Sequence, residues 1–131
     1  MTPPRPRILI VDDQPEVLRV YARALEVDGC EAVTAPSAAA AMDLINDSPP
    51  DAILIDLKMP YVNGLGFLYR LRATHPHIPV AIVTGLPSLD AQTTQEIQEL
   101  GAELAFKPMT IGEVQTVARR LLARSGAGSG S

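Results

Sequence analysis

A chain of 131 residues is the size of one domain with a single hydrophobic core. Its 47% hydrophobic and 20% charged residues exclude a disordered segment, and a net charge of −4 excludes the basic footprint of a nucleic-acid or anionic-membrane binder. A lone cysteine, Cys30, excludes an internal disulfide, and no run approaches the roughly 18 apolar residues of a membrane span, so the chain reads as cytoplasmic.

In chain order, a short lead-in (residues 1–6) runs into the apolar strand Ile8-Leu9-Ile10-Val11, which ends in Asp12-Asp13. The strand is too short for a signal-peptide core. A helical stripe follows at Val17, Tyr21, Ala24 and Leu25. A second strand at Ala32-Val33 ends in Ala35-Pro36, and the next stripe is Ala38, Ala41, Met42 and Ile45. The third strand, Ala52 to Ile55, ends in the bare carboxylate of Asp56 and is closed by Leu57-Lys58-Met59-Pro60. Gly64, Phe67, Leu68 and Leu71 mark a third helix. His75 and His77 read as loop residues between that helix and the strand Val80 to Val83, which ends in Thr84. A mostly polar helix over about residues 89–100 aligns Leu89, Thr93, Ile97 and Leu100. The last strand, Leu104-Ala105-Phe106, ends in Lys107. The final helix carries Ile111, Val114, Val117/Ala118 and Leu121, and opens on a capping box, Thr110 with Glu113. The domain is expected over residues 7–124, and residues 125–131 read as a flexible Gly/Ser tail.

Strands without polar alternation, separated by helices of 10 to 15 residues, predict an α/β fold: one five-stranded parallel sheet covered on both faces. All five carboxyl ends then share one edge, where open α/β sheets bind ligands. Asp12, Asp13, Asp56, Thr84 and Lys107 are expected to converge there.

Three gathered carboxylates repel, and Lys107 offsets only one charge. A hard divalent cation is the remedy, and an all-oxygen site without a Cys/His cluster suits Mg²⁺ rather than zinc. A metal, an ammonium and a hydroxyl around a carboxylate suit a phosphoryl group, so aspartyl-phosphate chemistry is predicted. Asp12 and Asp13 share the metal. Asp56, unpaired on the central strand, is the nucleophile, and the Lys58 carbonyl is placed as a further metal ligand.

These motifs resemble the receiver domain of bacterial two-component response regulators: "ILIVDD" its acidic pair, "ILIDLKMP" its acceptor strand, "NGLGF" the opening of its third helix, "AIVTG" its switch hydroxyl and "FKP" its Lys-Pro. The resemblance covers about residues 7–122. It implies a flavodoxin-like doubly wound (βα)5 sheet in the order 2-1-3-4-5 and a cis Lys107-Pro108 bond. It also implies that Asp56 takes its phosphoryl group from the phosphohistidine of a histidine kinase or phosphotransfer protein. Mg²⁺ would be held by Asp12, Asp13, Asp56 and the Lys58 carbonyl, with Thr84 and Lys107 on the phosphoryl oxygens. The implied output is a switch in the face of helix 4, strand 5 and helix 5, which would also serve a homodimer; no nucleic acid would bind within this chain. In one place the chain departs from the pattern: the switch aromatic is replaced by Leu104, with Phe106 two residues on at the same strand parity. The runner-up is an aspartyl-phosphate hydrolase of haloacid-dehalogenase type, which would need a second Asp where Lys58 stands. A dinucleotide-binding fold fails because "VDDQPE" replaces the glycine-rich turn.

Overall fold

The computed structural model describes residues 5–56, 61–85, 91–107 and 109–125, with residues 61–64 described by backbone alone. Strands and helices alternate throughout: β1 (Arg7–Val11), α1 (Pro15–Val27), β2 (Glu31–Ala35), α2 (Ala38–Asp47), β3 (Ala52–Asp56), α3 (Tyr61–Thr74), β4 (Val80–Thr84), α4 (Ala91–Glu99), β5 (Glu103–Phe106) and α5 (Ile111–Ser125). The five strands form one parallel sheet in the order β2-β1-β3-β4-β5.

Burial explains why the apolar runs form this sheet. In β1, β3 and β4 nearly every residue is buried, because each strand has a neighbour on both sides and helices on both faces. The edge strands β2 and β5 are less buried and more polar. Alternate residues feed two cores. Leu9, Val11, Ile53, Ile55, Val80 and Ile82 face α2, α3 and α4, meeting Ile45, Phe67, Leu68, Leu71 and Ile97. Ile8, Ile10, Leu54 and Ala81 face α1 and α5, meeting Tyr21, Leu25, Val114, Val117, Ala118 and Leu121. Each fully buried Leu, Ile or Phe contributes about 1.5–3 kcal/mol, so the two faces drive the fold jointly.

Local signals set the element ends. Ser37 caps α2 by accepting the Ala40 N–H at 3.1 Å. The capping box closes as expected: the Thr110 N–H donates to Glu113 at 3.0 Å, and the Glu113 N–H to Thr110 at 3.1 Å. Gly29 (φ 89°) and Gly101 (φ 75°) end α1 and α4 in the left-handed conformation that glycine adopts at least cost.

Several expectations are corrected. β2 begins at Glu31, one residue before the apolar pair Ala32-Val33, and ends at Ala35 as expected, since its pairing with β1 extends from Glu31 to Ala35. β5 begins at Glu103, which pairs with Ala81. α3 begins at Tyr61, before the expected Gly64 stripe. Ile111, expected on the core stripe, is 57% exposed, because the first residue of α5 projects beyond the end of the sheet. The last helix continues to Ser125, one residue past the expected limit of 124. Leu89, Lys58 and Pro108 lie outside the described residues, as do residues 126–131 of the tail.

Candidate functional site

The winding reverses between β1 and β3: from β1 the chain crosses to β2 on one side and then to β3 on the other. The carboxyl ends of these two strands therefore flank the crevice where such sheets bind ligands. Val11 pairs with Ile55, so one step further along lies Asp12 beside Asp56. Strand parity sends both side chains to the α1 and α5 side of the sheet.

Lys107 follows β5 and reaches across the sheet edge. Its Nζ lies 2.6 Å from Asp56 Oδ2 and 3.3 Å from Asp12 Oδ2. The three side chains are 15%, 4% and 2% exposed, respectively, so these charges sit mostly out of water. A backbone hydrogen bond helps to aim the lysine: the Lys107 N–H donates to the Thr84 carbonyl at 2.8 Å. Asp12 is held at both ends. Its N–H donates to Ala35 O at 3.1 Å, and its Oδ1 accepts the Gln14 N–H at 2.8 Å, which leaves Oδ2 for Lys107.

Asp13 is exposed, yet one carboxylate oxygen from each of Asp12, Asp13 and Asp56 falls within 4.8 Å of the others. Asp56 Oδ1 is buried and accepts no hydrogen bond among the described residues. A buried carboxylate oxygen without a partner is costly, and this one belongs to the carboxylate whose other oxygen Lys107 holds at 2.6 Å.

The electrostatics follow from this packing. Burial pushes the Asp56 carboxyl above its ordinary value, and the neighbouring Asp12 adds to the rise while Lys107 opposes it. Burial alone would depress Lys107, but the hydrogen bond and charge of Asp56, with Asp12 behind it, outweigh it and raise the ammonium pKa. The ammonium stays charged while two acids compete for it.

The residues expected at this edge do converge: Asp12, Asp13, Asp56 and Lys107 come together, and Thr84 ends β4 wholly buried beside them. Leu104 packs partly buried into the core shared with Ile97, whereas Phe106, register partner of Thr84, is 54% exposed. The Lys58 carbonyl lies outside the described residues. His77 sits at the opposite end of the sheet, in the connection from α3 to β4.

One contributor reads in sequence only as a core position. Tyr21, on α1, is buried, and burial first raises its phenol; the charges of Lys107, Asp12 and Asp56 also act on it. Its hydroxyl is the only signal that set it apart from Val17 and Leu25 on the same stripe.

Chemically, the site offers three carboxylates against one ammonium, with oxygen donors only and one buried oxygen unsatisfied. That set fits a hard divalent cation such as Mg²⁺.

Comparison with known proteins bears on the same residues. The profile of the response regulator receiver domain family matches residues 8–119. The chain is 34% identical over 122 residues to the transcriptional regulatory protein PrrA of Mycobacterium tuberculosis, covering 92% of this chain and 52% of that protein. It is 32% identical over 117 residues to sporulation initiation phosphotransferase F of Bacillus subtilis, covering 88% of this chain and 93% of that one. Among solved structures, a CheY-like response regulator receiver domain from Methanospirillum hungatei superimposes with a TM-score of 0.84 at 26% identity, over 94% of this chain and 98% of the other. The chain thus spans about half the length of PrrA and nearly all of the phosphotransferase. The haloacid-dehalogenase alternative finds no support in these matches.

Proposed function

The chain belongs to the response regulator receiver domain family, a phospho-acceptor signalling module, and from that premise we propose that Asp56 is its acceptor residue. The observation that carries the assignment is the pair of Asp56 oxygens: Oδ2 is held by Lys107 at 2.6 Å, while Oδ1 is buried with no partner. An unpartnered oxygen on a carboxylate fixed by its other oxygen is a nucleophile aimed at the crevice.

The donor is the phosphohistidine of a histidine kinase or phosphotransfer protein. Asp56 Oδ1 attacks phosphorus, the P–N bond breaks, and its electron pair returns to the imidazole. Lys107 then exchanges part of its contact with Asp56 for a phosphoryl oxygen, and the Thr84 hydroxyl donates to another. Hydrolysis reverses the charge change, with water in place of the donor, so the chemistry is confined to the domain's own acceptor. Mg²⁺ would be held by Asp12, Asp13, Asp56 and the Lys58 carbonyl, and when bound it supplies positive charge that offsets the phosphoryl oxygens.

Support for a protein donor comes from α1. A mostly apolar groove of about 1090 Å³ begins at Pro15, two residues past Asp13, and includes Leu18, Arg19, Ala22 and Ile111. It gives the partner a surface beside the acceptor. Output is read through α4, β5 and α5, where Phe106 is exposed next to Thr84; the same face serves self-association. We take residues 7–124 as the receiver unit and the cytoplasm as its compartment; no described helix is long and apolar enough to cross a membrane.

The test is direct. A small-molecule phosphodonor with Mg²⁺ should add one phosphate by intact mass, and Asp56→Asn should add none. Undiminished labelling of the variant would overturn the assignment.

A further inference from the structure

α4 is anchored unevenly along its length. Its one buried side chain is Ile97, near the carboxyl end, and none of residues 91–96 is buried. Tyr69 on α3 donates its hydroxyl to Glu96 at 3.1 Å, an exposed contact for which water competes. The carboxyl end is closed far more firmly. The Ala102 N–H donates to Ile97 O at 3.1 Å, and the Gly101 N–H to Gln98 O at 2.9 Å. With Gly101 at φ 75°, these bonds form a Schellman motif, and Ile97 and Ala102 share the core beneath it.

That motif leaves the carbonyls of Leu100 and Gly101 to find donors elsewhere. Each is taken by an arginine from a different helix. Arg72, on α3, gives Nε to Leu100 O at 2.6 Å, and Arg124, on α5, gives Nη2 to Gly101 O at 2.8 Å. Arg72 also gives Nη1 to Ile78 O at 2.6 Å, in the connection that leads into β4. One planar guanidinium thus ties the end of α4 to the approach to β4, with donors fixed in two directions. Helix carboxyl ends carry partial negative charge, so this partly buried cation is balanced without a carboxylate.

The amino end of α4 lies at the opposite edge, where Thr84 ends β4, because each helix of a parallel α/β sheet starts at the carboxyl edge of the strands. We propose that α4 is a lever with a fixed carboxyl end. Arg72 is the positioning residue that holds the pivot, so a change at the acceptor edge moves residues 91–96 while Leu100 and Gly101 stay in place. The inference rests on the reading of α4, β5 and α5 as the output face, and it names the part of α4 that carries the change.

Amide hydrogen exchange and amide shifts of the 131-residue protein test it, with and without a small phosphodonor and Mg²⁺. Before phosphorylation, Gln95 and Glu96 should exchange about tenfold or more faster than Leu100 and Ala102. Arg72→Met keeps an unbranched side chain without its donors. It should speed exchange at Leu100 and Ala102 by about tenfold while Gln95, Leu9 and Leu54 stay within about twofold. Arg124→Gln, at an exposed position, is the second variant and should give a smaller rise at Ala102. On phosphorylation, shifts should concentrate in residues 91–96 of the parent protein and extend through Leu100 and Ala102 in Arg72→Met. Even exchange along α4, indifference of Leu100 to Arg72→Met, an equal rise at Leu9 and Leu54, or phosphorylation shifts as large at Leu100 as at Gln95 would each overturn the pivot. Failure to take up phosphate by intact mass would instead count against the receiver reading, and the exchange gradient with its response to Arg72→Met would still decide the pivot.

Discussion

Thr84 and Phe106 are register partners on β4 and β5, yet the first is wholly buried and the second is 54% exposed. Their side chains share a strand parity and so leave the sheet on the same side, that of α4. The aromatic ring in register with the buried Thr84 thus stands at the surface, while Leu104 packs partly buried against the core.

Phe106→Ala should leave the rate of phosphorylation by a small phosphodonor within about twofold, because no acceptor contact is lost. Stability should fall by less than about 1 kcal/mol at so exposed a position. What should shrink is the phosphorylation-dependent shift of amides in α4 and β5. A tenfold loss of acceptor rate would place Phe106 in the chemistry and contradict this assignment.

Asp56 gives a pH prediction. Its folded pKa lies above the ordinary 3.8, so the folded protein holds this proton more tightly than the unfolded chain does. Stability therefore falls as pH rises from about 3.8 through the folded value, and the cost is fully present above it. In metal-free buffer at neutral pH, Asp56→Asn should melt a few degrees higher than the parent protein, with the gap closing as pH falls toward 4. A variant that melts lower at pH 7 would show that Lys107 depends on Asp56 more than burial penalises it.

Mg²⁺ should raise the melting temperature with the logarithm of its concentration once that exceeds Kd, as any ligand of the folded state does. Asp12→Asn removes one of the three clustered carboxylates while keeping an oxygen for the Gln14 N–H. It should weaken Mg²⁺ affinity by about tenfold or more and flatten the thermal response. Equal Mg²⁺ stabilisation of parent and variant would remove Asp12 from the metal site.

At the start of α5, Thr110→Ala should cost about 1 kcal/mol by removing half of the capping box. The Thr110 N–H holds the Glu113 carboxyl below its ordinary 4.5. That contribution is present above pH 4.5 and is lost as pH falls through the depressed value, so the start of α5 should fray in acid. Hydrogen exchange at Val114 and Gln115 reports it.

The parallel sheet was legible because the fold is written in unbroken apolar runs such as Ile53-Leu54-Ile55, and because the acids and Lys107 each stand directly after such a run; its strand order followed only from the resemblance to the receiver domain family. Residue type and position were enough to bring Asp12, Asp56 and Lys107 together. Their division of labour was not readable. That Asp12 spends Oδ1 on Gln14, and that Lys107 holds Oδ2 of both acids, depends on side-chain and loop geometry that no spacing encodes. Ile111 fits the apolar stripe of α5 but sits one residue too early to reach the core.

The ion pairs at the acceptor join residues 51 and 95 positions apart. Lys107 follows the edge strand on that side of the sheet, so a chain in which β1 has paired with β3 but β5 is undocked has two acids and no ammonium. Contacts of such long range are the slow ones to form. Relief of the repulsion between Asp12 and Asp56 is then a property of the finished sheet alone, and the two acids are balanced only once the edge strand is in place.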